Sequence, residues 1–360
     1  MAKRVGYVDI AKAIAVLFII LGHTGLVFNA DMTPGGVPYP VTRFAFTFHL
    51  PTFFILSGFF LHAERPLTLD GVKRDARSLL VPYAVACALT VAGAVAVAVL
   101  TPGVPAAETA RRWIGASLWG AGATHPMALV QTERIGGIWF LLALFWIRIL
   151  IPLTSRIPDI PRLLVMAGLL AASVLAGQHV WLPWSILSGL GCAFYVYLGW
   201  LIRKHGLFER LHGAMWAVPA ALWAAVIVFG GNASLAMSVY PLGAVDVAGG
   251  VAGALCVTRL AKAIEDHAPA VARFGCWVGR NTLPIFALHI VEDNVAPWHA
   301  YALQLSQLTG GAPWSWLAPL ACRLAVDAVL VALAYLLPVT RPVFFPHAAR
   351  SDGRPQISRG

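Results

Sequence analysis

The sequence predicts an all-α polytopic membrane protein of about ten transmembrane helices, with both termini cytoplasmic. Three observations predict it. First, 59% of the 360 residues are hydrophobic and 12% are charged, and the mean hydropathy is +0.75. A water-facing surface needs about 25–35% charged residues, so a soluble enzyme, a disordered chain and a coiled coil are excluded. Second, the apolar residues come in continuous runs near the ~20 residues that cross a bilayer. They lack the period-2 alternation of a β-barrel strand. Third, with the amino terminus placed in the cytoplasm, nineteen of the 26 Lys and Arg residues fall on that side. Four (Arg43, Arg111, Arg112, Arg134) fall on the other, and three (Lys12, Arg148, Arg323) lie within spans. Cytoplasmic loops carry such an excess, which accounts for the net charge of +10 without a nucleic-acid partner.

The first span is expected at 8–28. Lys3 and Arg4 ahead of an apolar run resemble a signal peptide, but Asp9 and Lys12 interrupt its start and no A-x-A site follows. It therefore reads as a retained helix. Further spans are expected at 44–61, 79–100, 136–153, 162–178, 182–202, 213–229, 241–260, 281–297 and 317–338. The polar stretch 101–135 reads as an external loop with an interfacial helix around Trp113–Trp119, and Trp139 and other span-end tryptophans read as interfacial anchors. The chain divides into a membrane domain, 1–340, and a basic cytoplasmic tail, 341–360. Cys87, Cys192, Cys256, Cys276 and Cys322 are scattered without metal spacing and read as small core hydrophobes. No metal is expected.

Ionisable side chains within spans cost at least ~2.5–3.5 kcal/mol each, so they mark function or paired structural sites. Asp9 and Lys12 are three residues apart on one face of the first helix. His23 follows Lys12 by eleven residues, three turns, and lies on the same face ~16 Å higher. The second helix enters from the other side, which brings His49 to the depth of His23 on an antiparallel neighbour. Arg323 and Asp327, at i and i+4 on the last helix, read as an internal ion pair. Asp246, His289 and Glu292 face the same outer cavity in this reading.

Several stretches resemble the acyltransferase-3 family of membrane O-acyltransferases, which includes sugar O-acetylases of bacterial surface polysaccharides. The opening Tyr7-Val8-Asp9-Ile10-Ala11-Lys12, running on to Gly22-His23, is similar to the family's first helix, where a basic residue precedes His with ten positions between. Phe48-His49-Leu50-Pro51-Thr52-Phe53-Phe54-Ile55-Leu56-Ser57-Gly58-Phe59 resembles F-H-x-P-x-F-F-x-x-S-G-F. Arg74-Asp75-Ala76-Arg77, followed by Leu79-Leu80-Val81-Pro82-Tyr83, resembles the family's R-x-x-R stretch. Ile138-Trp139-Phe140-Leu141 and Asn281 through His289 match in kind. Ala13 departs from the family's usual Gly.

The resemblance implies acetyl-CoA as donor, and as acceptor a sugar hydroxyl of an exopolysaccharide, O-antigen or lipid-linked precursor, at the bacterial inner membrane among its lipids. Arg74 and Arg77, with Lys73 as a third charge, suit the phosphates of CoA, because guanidinium groups chelate phosphate bidentately. His23 is the implied general base, since a neutral imidazole can take the proton of a hydroxyl. His49, Ser57 and Asn281 are candidate oxyanion donors; His289 and Glu292 are placed with the acceptor. Lys12 either holds a CoA phosphate or tunes the first helix, with Asp9 orienting it. Direct transfer and an acetyl-histidine relay both fit. The chain ends soon after the tenth span, so chemistry is expected to finish within the membrane domain. Three rival functions would use the same intramembrane residues. A transporter or lipid-linked-sugar exporter uses such charges, but two matching broken helices are not seen. A b-type haem would use His23 and His49 as axial ligands. An intramembrane serine protease would pair Ser57 with His49, without a G-x-S-x-G context.

Overall fold

The computed structural model describes residues 5–29, 35–230 and 233–346. Lys3, Arg4 and most of the expected tail lie outside them. Fifteen α-helices run through the described residues: α1 Gly6–Asn29, α2 Tyr39–Gly58, α3 Leu69–Leu100, α4 Ala106–Trp119, α5 Trp139–Leu153, α6 Asp159–Gly177, α7 Ile186–Lys204, α8 Leu207–Arg210, α9 Ala217–Phe229, α10 Ala244–His267, α11 Pro269–Arg280, α12 Thr282–Val295, α13 Trp298–Leu308, α14 Leu317–Leu336 and α15 Arg341–Phe344. Only isolated bridges occur in place of strands among the described residues. The protein is an all-α polytopic membrane protein. Seven helices are long and apolar enough to cross a bilayer. The other three expected spans are helical too. These are α2, the 13-residue α9 and the 14-residue α12.

Small residues set the closest crossings, as expected where lipid offers no hydrophobic drive between helices. A Cβ on Gly199 of α7 would lie 2.0 Å from the Ile55 carbonyl oxygen of α2, and one on Gly58 would lie 2.0 Å from the Val196 oxygen. A Cβ on Gly279 of α11 would lie 1.8 Å from the Asp9 oxygen of α1. Backbones meet directly at these points, and α1, α2, α7 and α10 form the centre of the bundle.

Helix α3 begins ten residues before its expected apolar run, because Thr68 caps it through a hydrogen bond from the Gly71 amide (3.1 Å), which stabilises a helix start by about 1 kcal/mol. Helix α4 differs from expectation. It is no surface-lying element; it packs back along α3. The Tyr83 hydroxyl donates to the Ser117 carbonyl oxygen at 2.6 Å. Tyr83 lies seventeen residues before the end of α3, so the 14-residue α4, about 21 Å long, runs back alongside it for most of its length. Beyond the left-handed Gly120 (φ +70°), His125 stacks on Trp181 at 4.5 Å. Burial there holds the His125 imidazole below the ordinary histidine range.

The tryptophan expectation divides: Trp184, Trp277 and Trp314 are exposed near helix ends, but three others are corrected. Trp139, Trp181 and Trp298 are all buried, packed against neighbouring elements instead of anchored at an interface. Arg162, counted from sequence among loop cations, is 2% exposed. It donates to the Ala63 carbonyl oxygen at 3.0 Å and to that of Ile151 at the end of α5. Among the five cysteines, none of them bridged, Cys322 is exposed.

Candidate active site

Basic side chains gather at one end of the bundle. Lys12 and Arg203 both lie over the Phe60 ring, at 5.0 and 5.4 Å, and Lys204 pairs with Asp159 at 2.9 Å. A cleft of about 370 Å³ opens there between α2, α3, α5 and α7, lined by Ser57, His62, Arg65, Arg74, Asp75 and Arg148 with apolar neighbours. Arg148 donates to Asp75 Oδ1 at 2.9 Å, and Arg74 Nε is 3.8 Å from the same oxygen. Arg65, Arg74 and Arg148 therefore face one concave surface. Arg77 and Lys73 are exposed on α3 and are not among the lining residues. The expected Arg74–Arg77 pair is thus split: Arg74 lines the cleft, and Arg77, nearly a turn further along α3, does not.

The second cluster lies toward the other end. His289, Glu292 and Asp293 fall at i, i+3 and i+4 on α12 and so share a face. That face meets α1 and α14. His289 Nδ1 is 2.8 Å from Glu292 Oε1 and 3.1 Å from Asp327 Oδ2 of α14. Its Nε2 is 3.2 Å from His23 Nδ1 of α1, and the two rings stack with centroids 5.2 Å apart. His23 Nδ1 is also 3.6 Å from Asp293 Oδ2. Arg323, fully buried, donates to Glu292 Oε1 from Nε at 3.0 Å and Nη2 at 2.9 Å, and to Asp293. Trp298 Nε1 donates to the other oxygen of Glu292. The expected Arg323–Asp327 pair is therefore replaced by contacts across helices: Arg323 turns to α12, and Asp327 accepts from His289.

The remaining sequence candidates separate by depth. His49 is buried at 2% exposure, and its Nδ1 donates to the Ala45 carbonyl oxygen at 2.6 Å within its own helix. It makes no hydrogen bond to His23. Ser57 lies eight residues further along α2, roughly 12 Å nearer the basic end, where its hydroxyl donates to the Phe53 oxygen. Asn281 sits at the start of α12, eight residues or roughly 12 Å from His289, and donates to the Trp277 oxygen. Neither Ser57 nor Asn281 reaches the histidines, which corrects their expected role as oxyanion donors there. Asp246 accepts from the Leu242 amide at 2.7 Å and caps its own helix outside the cluster. Between cleft and histidines lies an aromatic layer. Phe140 packs against Phe53, Phe54 and Phe286 at 5.9, 4.7 and 6.0 Å.

Sequence reasoning missed Asp293, Asp327 and Arg323 as members of the histidine cluster. It also missed Arg65 and Arg148 in the cleft. A signal existed for Asp293, which neighbours Glu292 on an apolar helix. Two triads, His23–His289–Asp293 and His289–Glu292–Asp327, bring their ligand atoms within 4.8 Å of one another. Arg323 already lends its charge to Glu292 and Asp293, one carboxylate of each triad, which disfavours a metal cation beside it.

A buried His289 stacked on a partly buried His23 and ringed by carboxylates thus stands opposite a basic cleft in a polytopic helical bundle, a base at one end and an anion-binding surface at the other. A family model described as an acyltransferase domain matches residues 5–337; the chain belongs to the acyltransferase-3 family and is a membrane acyltransferase. No curated protein and no solved structure matches the chain.

Proposed function

We propose that the protein is an O-acetyltransferase of a bacterial inner membrane, moving an acetyl group from cytoplasmic acetyl-CoA to a sugar hydroxyl of an exopolysaccharide, O-antigen or lipid-linked precursor. The observation that carries this reading is the placement of His23, partly buried against His289 and Asp293, on the far side of an aromatic layer from the arginine-lined cleft. The excess of Lys and Arg makes the cleft end cytoplasmic, where CoA is available. Arg65, Arg74 and Arg148 suit its phosphates, and the flexible arm of a CoA thioester is the kind of ligand that joins a phosphate site to an imidazole deeper in the bundle. Reaching it requires the phenyl rings of the layer to move aside.

In the step itself, His23 takes the hydroxyl proton as the sugar oxygen bonds to the thioester carbonyl carbon. The C–S bond then breaks, and the proton passes to the CoA thiolate. General base catalysis of this kind contributes 10²–10⁴-fold. The test is transfer of label from radiolabelled acetyl-CoA into the membrane glycans of cells carrying the protein. A labelled glycan is expected with the native protein and none with His23→Ala at equal membrane level. Label transfer by His23→Ala would remove His23 from the mechanism; absence of transfer by the native protein would overturn the function.

A further inference from the structure

We propose that His289 is a positioning residue that sets the tautomer of His23 and so decides which ring nitrogen takes the proton. This rests on the acyl-transfer reading above and deepens it.

The chain of hydrogen bonds fixes the assignment. Glu292 Oε1 accepts two hydrogen bonds from Arg323, and a carboxylate oxygen used in this way is an acceptor. His289 Nδ1 faces that carboxylate at 2.8 Å and Asp327 at 3.1 Å, so Nδ1 carries the hydrogen. In the neutral ring Nε2 is then left with a lone pair. It faces His23 Nδ1 at 3.2 Å, and a hydrogen bond there needs a donor, which His23 Nδ1–H supplies. The lone pair of His23 is thereby placed on Nε2, the nitrogen directed away from His289. A carboxylate–imidazole–imidazole series ends in a base whose orientation is set by its neighbours, the logic by which a buried acid orients the base of a hydrolase triad.

Charge acts on the product of the proton transfer. Glu292, Asp293 and Asp327 place three carboxylates around the two rings, against one obligate cation, Arg323. When Nε2 takes the hydroxyl proton, the resulting imidazolium lies 3.6 Å from Asp293 in a region of excess negative charge, which stabilises it. Released to the thiolate, the proton leaves His23 in its starting tautomer.

Two measurements test this. In the first, purified protein in lipid nanodiscs is assayed for acetyl transfer with His289→Leu and His289→Gln. Leu keeps the volume and removes both polar contacts. Gln keeps a donor for the carboxylates and an acceptor for His23. His289→Leu is expected to lower kcat at least 100-fold, the scale of general-base catalysis, with KM for acetyl-CoA unchanged, and His289→Gln to regain tenfold or more. Equal kcat in the native and Leu proteins, or a Gln variant no better than Leu, would overturn the proposal. The second needs no variant: ¹⁵N spectra of the native protein's histidine rings report His23 protonated at Nδ1 if the assignment holds and at Nε2 if it does not. A native protein that transfers no acetyl group would instead sink the functional reading and leave the spectroscopic test standing.

Discussion

Replacing Arg323 by Met should destabilise the bundle by about 3–5 kcal/mol, the cost of removing one partner from a buried ion pair. The guanidinium is 0% exposed and makes hydrogen bonds of 3.0 and 2.9 Å to Glu292 and a third to Asp293. Each bond to a charged group is worth ~1.5–3 kcal/mol, but the full sum overstates the loss, because a Met stem still packs beneath the Trp298 ring that Arg323 covers at 5.4 Å. The dominant penalty is two carboxylates left without their cation, Glu292 buried and Asp293 partly so. Even at ~2 °C per kcal/mol, the melting temperature followed by tryptophan fluorescence in detergent should fall by roughly 6 °C or more. Adding Glu292→Gln and Asp293→Asn removes the stranded charges and should restore most of that loss. An Arg323→Met protein that melts with the native one, or a triple variant no better than the single, would refute the reasoning.

Further outcomes are expected from the same geometry. His23→Ala should lower acetyl transfer by 10²–10⁴-fold without lowering the melting temperature, measured on equal amounts of purified protein. Arg65→Ala and Arg148→Ala should each raise KM for acetyl-CoA about tenfold, the scale of one charge-assisted hydrogen bond; Arg77→Ala, exposed outside the cleft, should change it less than twofold in the same titration. Gly199→Ala should cost roughly 1–3 kcal/mol, because its methyl would sit on the Ile55 carbonyl oxygen and push α2 from α7; an unchanged melting temperature would show that the crossing can relax.

Much of the fold was legible because hydropathic runs are long-range information written locally. The expected segment 162–178 and the helix Asp159–Gly177, or 281–297 and Thr282–Val295, differ by a few residues. The errors came where polar residues extend a helix beyond its apolar run, as Thr68 does for α3, or where a polar stretch folds back, as α4 does. The site was legible only along single helices. Spacing puts Lys12 and His23 on one face and gathers His289 with Glu292. It does not say which helix faces which, so Arg323 was paired with Asp327 on its own helix when its partners stand on α12. Ser57 and Asn281 failed for the related reason that depth along a helix, not residue type, decides what a side chain can reach.

The Phe53, Phe54, Phe140 and Phe286 rings have a consequence beyond packing. They offer water no hydrogen-bonding partner, so while they stay packed no file of water joins the arginine-lined cleft to the histidine cluster, and a ligand that bridges the two has to displace them first.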